Sequence, residues 1–158
     1  MELMSHIKAI YISGITWLVM GSYLLYKGLY YSITCVLDMP PLITWLSGIL
    51  GSVQNGIIMV IAAGLTIGFF KGRYILIKTV RRVVRGIVLQ PTPIKLRHIY
   101  TNGYLILILS MMALGMTLRF LPIGGDVRGL VDTAIGCALI NGSLIYFRLG
   151  LMLKRERQ

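Results

Sequence analysis

Few side chains in this sequence are equipped for chemistry, and they fall into three sets. The first is polar groups inside long apolar stretches: Gln54 and Asn55 in one, Asn141 in another. An amide without a partner in hydrocarbon is costly, so each must face protein or water. Gln54, Asn55 and Asn141 are therefore candidates for lining a hydrophilic path, or else they bond across helices for roughly 0.5–2 kcal/mol each. Asp132 joins them. It stands one helical turn after Arg128, within reach of Arg128 or Arg119, and a carboxylate there is also a candidate for coupling a proton or cation.

The second set is small residues at helical spacing. Gly48, Ser52 and Gly56 recur every four residues, followed by Gly64 and Gly68, and Ala134, Ala138 and Gly142 repeat the pattern. Such ridges let helix backbones approach closely, and packing drives association inside lipid. They serve either the helices of one chain or a homo-oligomer interface.

The third set is basic. Lys71, Lys78, Arg82 and Arg85 form one helical stripe, with Arg81 beside it, while Leu76, Val80, Val83 and Ile87 form another. A helix so patterned lies on a membrane surface with its cations toward anionic headgroups, or it continues a transmembrane helix beyond the bilayer.

Enzymatic chemistry finds no support. General acid–base catalysis needs carboxylates converging on one site, but Glu2 and Glu156 are terminal and Asp126 and Asp132 are close neighbours in sequence. No nucleophile elbow, zinc-protease motif or phosphate-cradling glycine loop occurs. Cys35, Cys137, His6 and His98 compose no metal framework, so neither a metal nor another cofactor is expected.

What must position these groups is a set of membrane helices. The 158 residues are 56% hydrophobic and only 13% charged, with a mean hydropathy of +0.79, whereas soluble domains carry about a quarter charged residues. A bilayer core ~30 Å thick takes about 20 helical residues. Four stretches reach that length, over about 9–34, 42–70, 99–121 and 129–148. The Asp38-Met39-Pro40-Pro41 and Pro122-to-Asp126 turns join them pairwise. The segment 71–98, broken by Pro91 and Pro93, separates the pairs. The first stretch follows Lys8 without a cleavage site, which reads as an uncleaved signal anchor.

Net charge is +11. On this topology the whole of it falls on the face holding both termini and 71–98, while Lys27, Arg119 and Arg128 balance Asp38, Asp126 and Asp132 on the other. Lys and Arg accumulate on the cytoplasmic side, so that face is expected to be cytoplasmic, in a bacterial inner membrane. The same rule accounts for the basic pI without nucleic acid. Lys27, about 28 Å along a helix from Lys8, is expected at the outer headgroups.

A short repeat also emerges. Tyr11-to-Gly14 matches Tyr100-to-Gly103, and Asn55-Gly56 matches Asn141-Gly142, which would make the two hairpins a parallel repeat. Matching Phe70-Lys71 to Phe147-Arg148 is an equally good alternative.

The sequence thus predicts an all-α, polytopic membrane protein of one domain: a four-helix transmembrane bundle of two hairpins with a basic amphipathic cytoplasmic helix. Four helices enclose no roomy polar cavity, so the expected function is a homo-oligomeric channel or transporter subunit that favours anions through its basic vestibules. The alternative is a non-transporting subunit or scaffold that binds a partner's helices and anionic lipid.

Overall fold

The structure, a computed structural model, describes residues 6–35, 40–89, 113, 116–117, 120 and 123–155. The predicted third span, 99–121, lies almost wholly outside them, as do Asp38, His98, Arg119 and the Pro91–Pro93 segment. The parallel repeat rests partly on those residues.

Every regular element among the described residues is helical: α1 (His6–Thr34), α2 (Pro41–Leu50), α3 (Val53–Lys71), a π-helical turn (Gly72–Leu76), α4 (Ile77–Val88) and α5 (Gly125–Arg155). Three helices among them are long and apolar enough to cross a membrane: Ile7–Thr34, Val53–Tyr74 and Gly125–Arg155.

The apolar stretch 42–70 is not one helix. Pro40 is extended and Pro41 occupies the first turn, where its missing N–H costs nothing, so α2 starts there. Gly51 then takes a φ of +75°, a left-handed conformation that suits a residue without Cβ, and its N–H donates to the Ser47 carbonyl at 2.9 Å. Ser52 is extended, and its hydroxyl accepts the Asn55 N–H at 3.2 Å, capping α3. The chain therefore reverses at Gly51-Ser52. α2 packs back on α3, where a Cβ on Gly56 would stand 3.2 Å from the Ile43 carbonyl oxygen. Ile43 and Val60 share a small core with Cys35 at the end of α1.

Beyond Lys71 the chain continues through the π-helical turn into α4. Of the two placements open to the amphipathic helix, the structure shows continuation. Its apolar side is covered by protein: Leu76, Val80 and Val84 are buried with Ala9, Ile10 and Trp17 of α1 and Leu139 and Tyr146 of α5. Lys78, Arg81, Arg82 and Arg85 are exposed.

The frame is the antiparallel pair α1–α5. Gly14, Gly21 and Gly28 stand seven apart on one helix, and Gly129 and Gly136 seven apart on the other, and all are buried. Gly21 faces the Gly136 carbonyl and Ile140, and a Cβ on Gly136 would lie 2.5 Å from the Leu25 nitrogen. A seven-residue repeat keeps one seam on the partner along the whole contact, and glycine there lets the backbones nearly touch.

α3 and α4 run parallel to α5. Gly64 faces Leu130 and Thr133, Gly68 faces Ala134 and Cys137, Gly72 faces Ala138, and Gly142 faces Leu76 as well as Trp17. In this register Lys71 stands beside Cys137 and Ala138, while Lys27 pairs with Asp132. The two lysines are thus separated by about 8 Å along the bundle axis at 1.5 Å per residue, far less than the ~30 Å of hydrocarbon. Lys27 and Lys71 therefore lie at nearby levels of the bundle, although the sequence places them on opposite faces of the membrane. Counting along α1 from Lys8 does not register how far α3 is shifted against that helix.

Candidate functional site

Close packing of α1 on α5 presses a charged layer into the bundle. Lys27 and Tyr31 lie one turn apart on α1, and Arg128 and Asp132 lie one turn apart on α5. Between them, Gly28 lies against Thr133 and Gly129 against Ser32, so no side chain holds the helices apart at this level.

The Lys27 Nζ is 3.6 Å from Asp132 Oδ2; the lysine side chain is 38% exposed and the aspartate side chain 6%. Lys27 Nζ also lies 5.6 Å from the centroid of the Tyr31 ring, and the Arg128 guanidinium carbon lies 5.7 Å from the same centroid. Both distances allow cation–π attraction. Two cations thus gather around one carboxylate and one aromatic ring. Ser32 is fully buried and donates to the Gly28 carbonyl at 2.9 Å. Thr133 is equally buried, and its hydroxyl has no hydrogen-bond partner among the described residues.

The other carboxylate of the layer is committed elsewhere. Asp126, with no solvent exposure, accepts the Leu42 N–H at 2.8 Å and the Ile43 N–H at 3.3 Å on Oδ2, and the Val127 N–H at 2.7 Å on Oδ1. It sits in the first turn of α5 and satisfies the first turn of α2, whose own flanking residue, Pro40, supplies no side-chain cap. One negative charge therefore faces the positive ends of two helix dipoles.

Of the residues predicted to line a path, only Asp132 belongs to this layer. Gln54 and Asn55 are exposed at the α2–α3 turn, where the Asn55 side chain donates to the Leu50 carbonyl at 3.1 Å. Asn141 is half-buried and donates to the Cys137 carbonyl of its own helix at 3.1 Å. Measured through the Gly64–Thr133 contact, Asn55 and Asn141 are about 25 Å apart along the axis. The structure does not bring them together.

The small residues divide likewise. Gly56, Gly64, Gly68, Ala134, Ala138 and Gly142 all pack within this chain, Ser52 caps α3, and a Cβ on Gly48 would meet nothing within 4 Å. The turn interrupts the four-residue row of Gly48, Ser52 and Gly56. Sequence reasoning passed over Tyr31, Asp126 and the glycines spaced by seven, although the two turn-spaced pairs and that repeat were all visible.

The exposed cations, Lys71, Lys78, Arg81, Arg82 and Arg85, form a separate basic face on α3 and α4. No group of three or more His, Cys, Asp or Glu side chains able to hold a metal occurs among the described residues. No protein-family model, curated protein or solved structure matches this chain.

Proposed function

We propose that this membrane protein transports ions, and that the Lys27–Asp132–Arg128 layer is its working element. The observation that carries this reading is the level of the ion pair. Along α3 the charge-free residues Val53 to Phe70 run from the polar turn at Ser52, Gln54 and Asn55 to Lys71, about 28 Å, which matches the thickness of hydrocarbon. The ion pair lies beside Gly64, well inside those limits. Exposed Lys71 and Arg73 belong at headgroups, whereas the half-buried Lys27, compensated by a buried carboxylate, is the cheaper charge to hold within the bilayer.

Ionisable groups at such depth in membrane proteins mark ion and proton pathways. A half-length helix ending inside the fold, as α2 does at the Asp126 carboxylate, is a further device of transporters. A homo-oligomer would supply the additional walls that a path through so few helices requires.

The test is flux through the purified protein in liposomes, with K⁺, Na⁺, H⁺, Cl⁻, F⁻ and phosphate each under an imposed gradient. We expect selective flux that Asp132→Asn and Lys27→Met both alter. No flux through correctly inserted protein overturns the reading.

A second reading, a scaffold bound to anionic lipid, is favoured by the basic face of α4. Its apolar side is already covered by α1 and α5, so its exposed cations are free to meet anionic headgroups. Reversing Lys78, Arg81, Arg82 and Arg85 together would then weaken binding to anionic liposomes; unchanged binding would remove this reading.

A further inference from the structure

The basic face of α4 reaches too far from the bilayer to meet headgroups along its whole length. With hydrocarbon ending at Lys71, that residue and Arg73 stand at headgroup level. α4 continues the same helical line beside α5, so Arg82 and Arg85 lie roughly 15–20 Å further out at 1.5 Å per residue. At physiological salt, attraction between exposed charges is largely screened beyond ~8 Å. Lys78, Arg81, Arg82 and Arg85 are all exposed. The ion pair found among the described residues, Lys27–Asp132, involves none of them.

Apolar side chains stand level with those cations. Gly72 faces Ala138, and Gly142 faces Leu76. That register sets Leu144 level with Lys78, Arg148 with Arg82 and Leu151 with Arg85, and all three α5 residues are exposed.

We propose that this face of α4 and α5 docks an acidic amphipathic helix of another protein. The proposal rests on the placement of the bilayer along Val53 to Phe70, not on ion transport. Lys78, Arg82 and Arg85 follow one another at four and three residues, the spacing at which a second helix presents carboxylates along one stripe. Each guanidinium grips a carboxylate through two parallel N–H donors, and the leucines take the apolar side of the incoming helix. A nucleic-acid backbone would answer the cations but leave the leucines in water. A second copy of this chain cannot supply the acid. It has five acidic residues, of which Asp126 and Asp132 are buried and engaged, and it brings the same cations with it.

The probe is a synthetic helical peptide of about 20 residues, with leucine along one stripe and glutamate along its flanks. It is titrated by calorimetry, at physiological salt, into the full-length protein in phosphatidylcholine nanodiscs, with empty discs as background. Both sides of a disc are open to the peptide, so orientation in the bilayer does not enter. The helical peptide is expected to bind at least about tenfold tighter than a scrambled peptide of the same composition. Arg82→Gln with Arg85→Gln is expected to weaken it about tenfold or more. Leu151→Ser should weaken the helical peptide and leave the scrambled one unchanged. No binding, equal binding of the two peptides, or affinity indifferent to these substitutions overturns the proposal. All three substituted side chains are exposed, so folding does not decide the outcome.

Fluorophores on Lys71→Cys and Arg85→Cys, in a background lacking Cys35 and Cys137, separate a protein partner from lipid. Spin-labelled headgroups are expected to quench the first and spare the second. Equal quenching lays α4 on the bilayer surface and overturns the proposal in favour of headgroups. Peptide binding without ion flux overturns the transport reading alone, and ion flux without peptide binding overturns this proposal alone.

Discussion

Asp126 caps a helix that begins far away in the chain: its Oδ2 accepts the Leu42 N–H at 2.8 Å across 84 residues of sequence. The bond ties the end of the α1–α5 pair to the α2–α3 reversal. Because the N–H groups of Leu42 and Ile43 belong to the opening turn of α2, they have no helical carbonyl to donate to. Asp126 supplies the acceptor and opposes the helix dipole as well.

Replacing Asp126 by alanine should therefore detach the start of α2. The expected loss is about 1.5–3 kcal/mol, the range for hydrogen bonds to a charged group. Thermal unfolding in detergent reads the loss, and faster proteolysis at the Gly51-Ser52 turn locates it. An unchanged transition would mean that the cap contributes nothing to stability.

Glycine positions should respond in opposite directions. A Cβ on Gly136 would meet the Leu25 nitrogen at 2.5 Å and the Gly21 carbonyl at 2.8 Å. Gly136→Val is expected to destabilise by about 1–3 kcal/mol through overpacking. Gly48→Ala meets nothing within 4 Å and should be neutral or stabilise by up to about 1 kcal/mol from helix propensity. Equal effects in a denaturation series would contradict the glycine-seam packing.

The ion pair should show coupling. Lys27→Met leaves Asp132 buried without its lysine, at an expected cost of about 1–3 kcal/mol, below the figure for a fully buried pair because Lys27 is partly solvated. Adding Asp132→Asn should recover most of that loss. A double-mutant cycle that gives no interaction energy would show that the two side chains do not act as a pair.

Accessibility should follow the stagger of the helices. In a background lacking Cys35 and Cys137, Gln54→Cys and Lys71→Cys are expected to react with a membrane-impermeant maleimide from opposite sides. Lys27→Cys is expected to react slowly from both. Labelling of Lys27→Cys as fast as that of Gln54→Cys, and from the same side, would place the ion pair at the surface and withdraw the argument for an intramembrane site.

Much of the architecture is legible without coordinates because lipid imposes a simple rule: backbone groups must be satisfied within a helix, and apolar length must match the bilayer. That rule suffices for the helical class, for α1 and α5 as long apolar helices, and for the amphipathic pattern of α4. Leu76 and Val80 on one side and Lys78 and Arg82 on the other differ in burial as their spacing predicts.

Only the tertiary structure decides what those helices do to one another. The reversal at Gly51-Ser52 is invisible to hydropathy, because the residues flanking it are as apolar as a continuous span; its cause is one left-handed glycine followed by a serine cap. The partner of Asp132 is likewise undetermined by spacing. Arg128 and Arg119 are its neighbours along the chain, yet the antiparallel register of α1 on α5 delivers Lys27. Axial shift between helices leaves no mark in the periodicity of either one, and it is that shift which sets Lys27 and Asp132 beside Gly64, among the charge-free residues of α3.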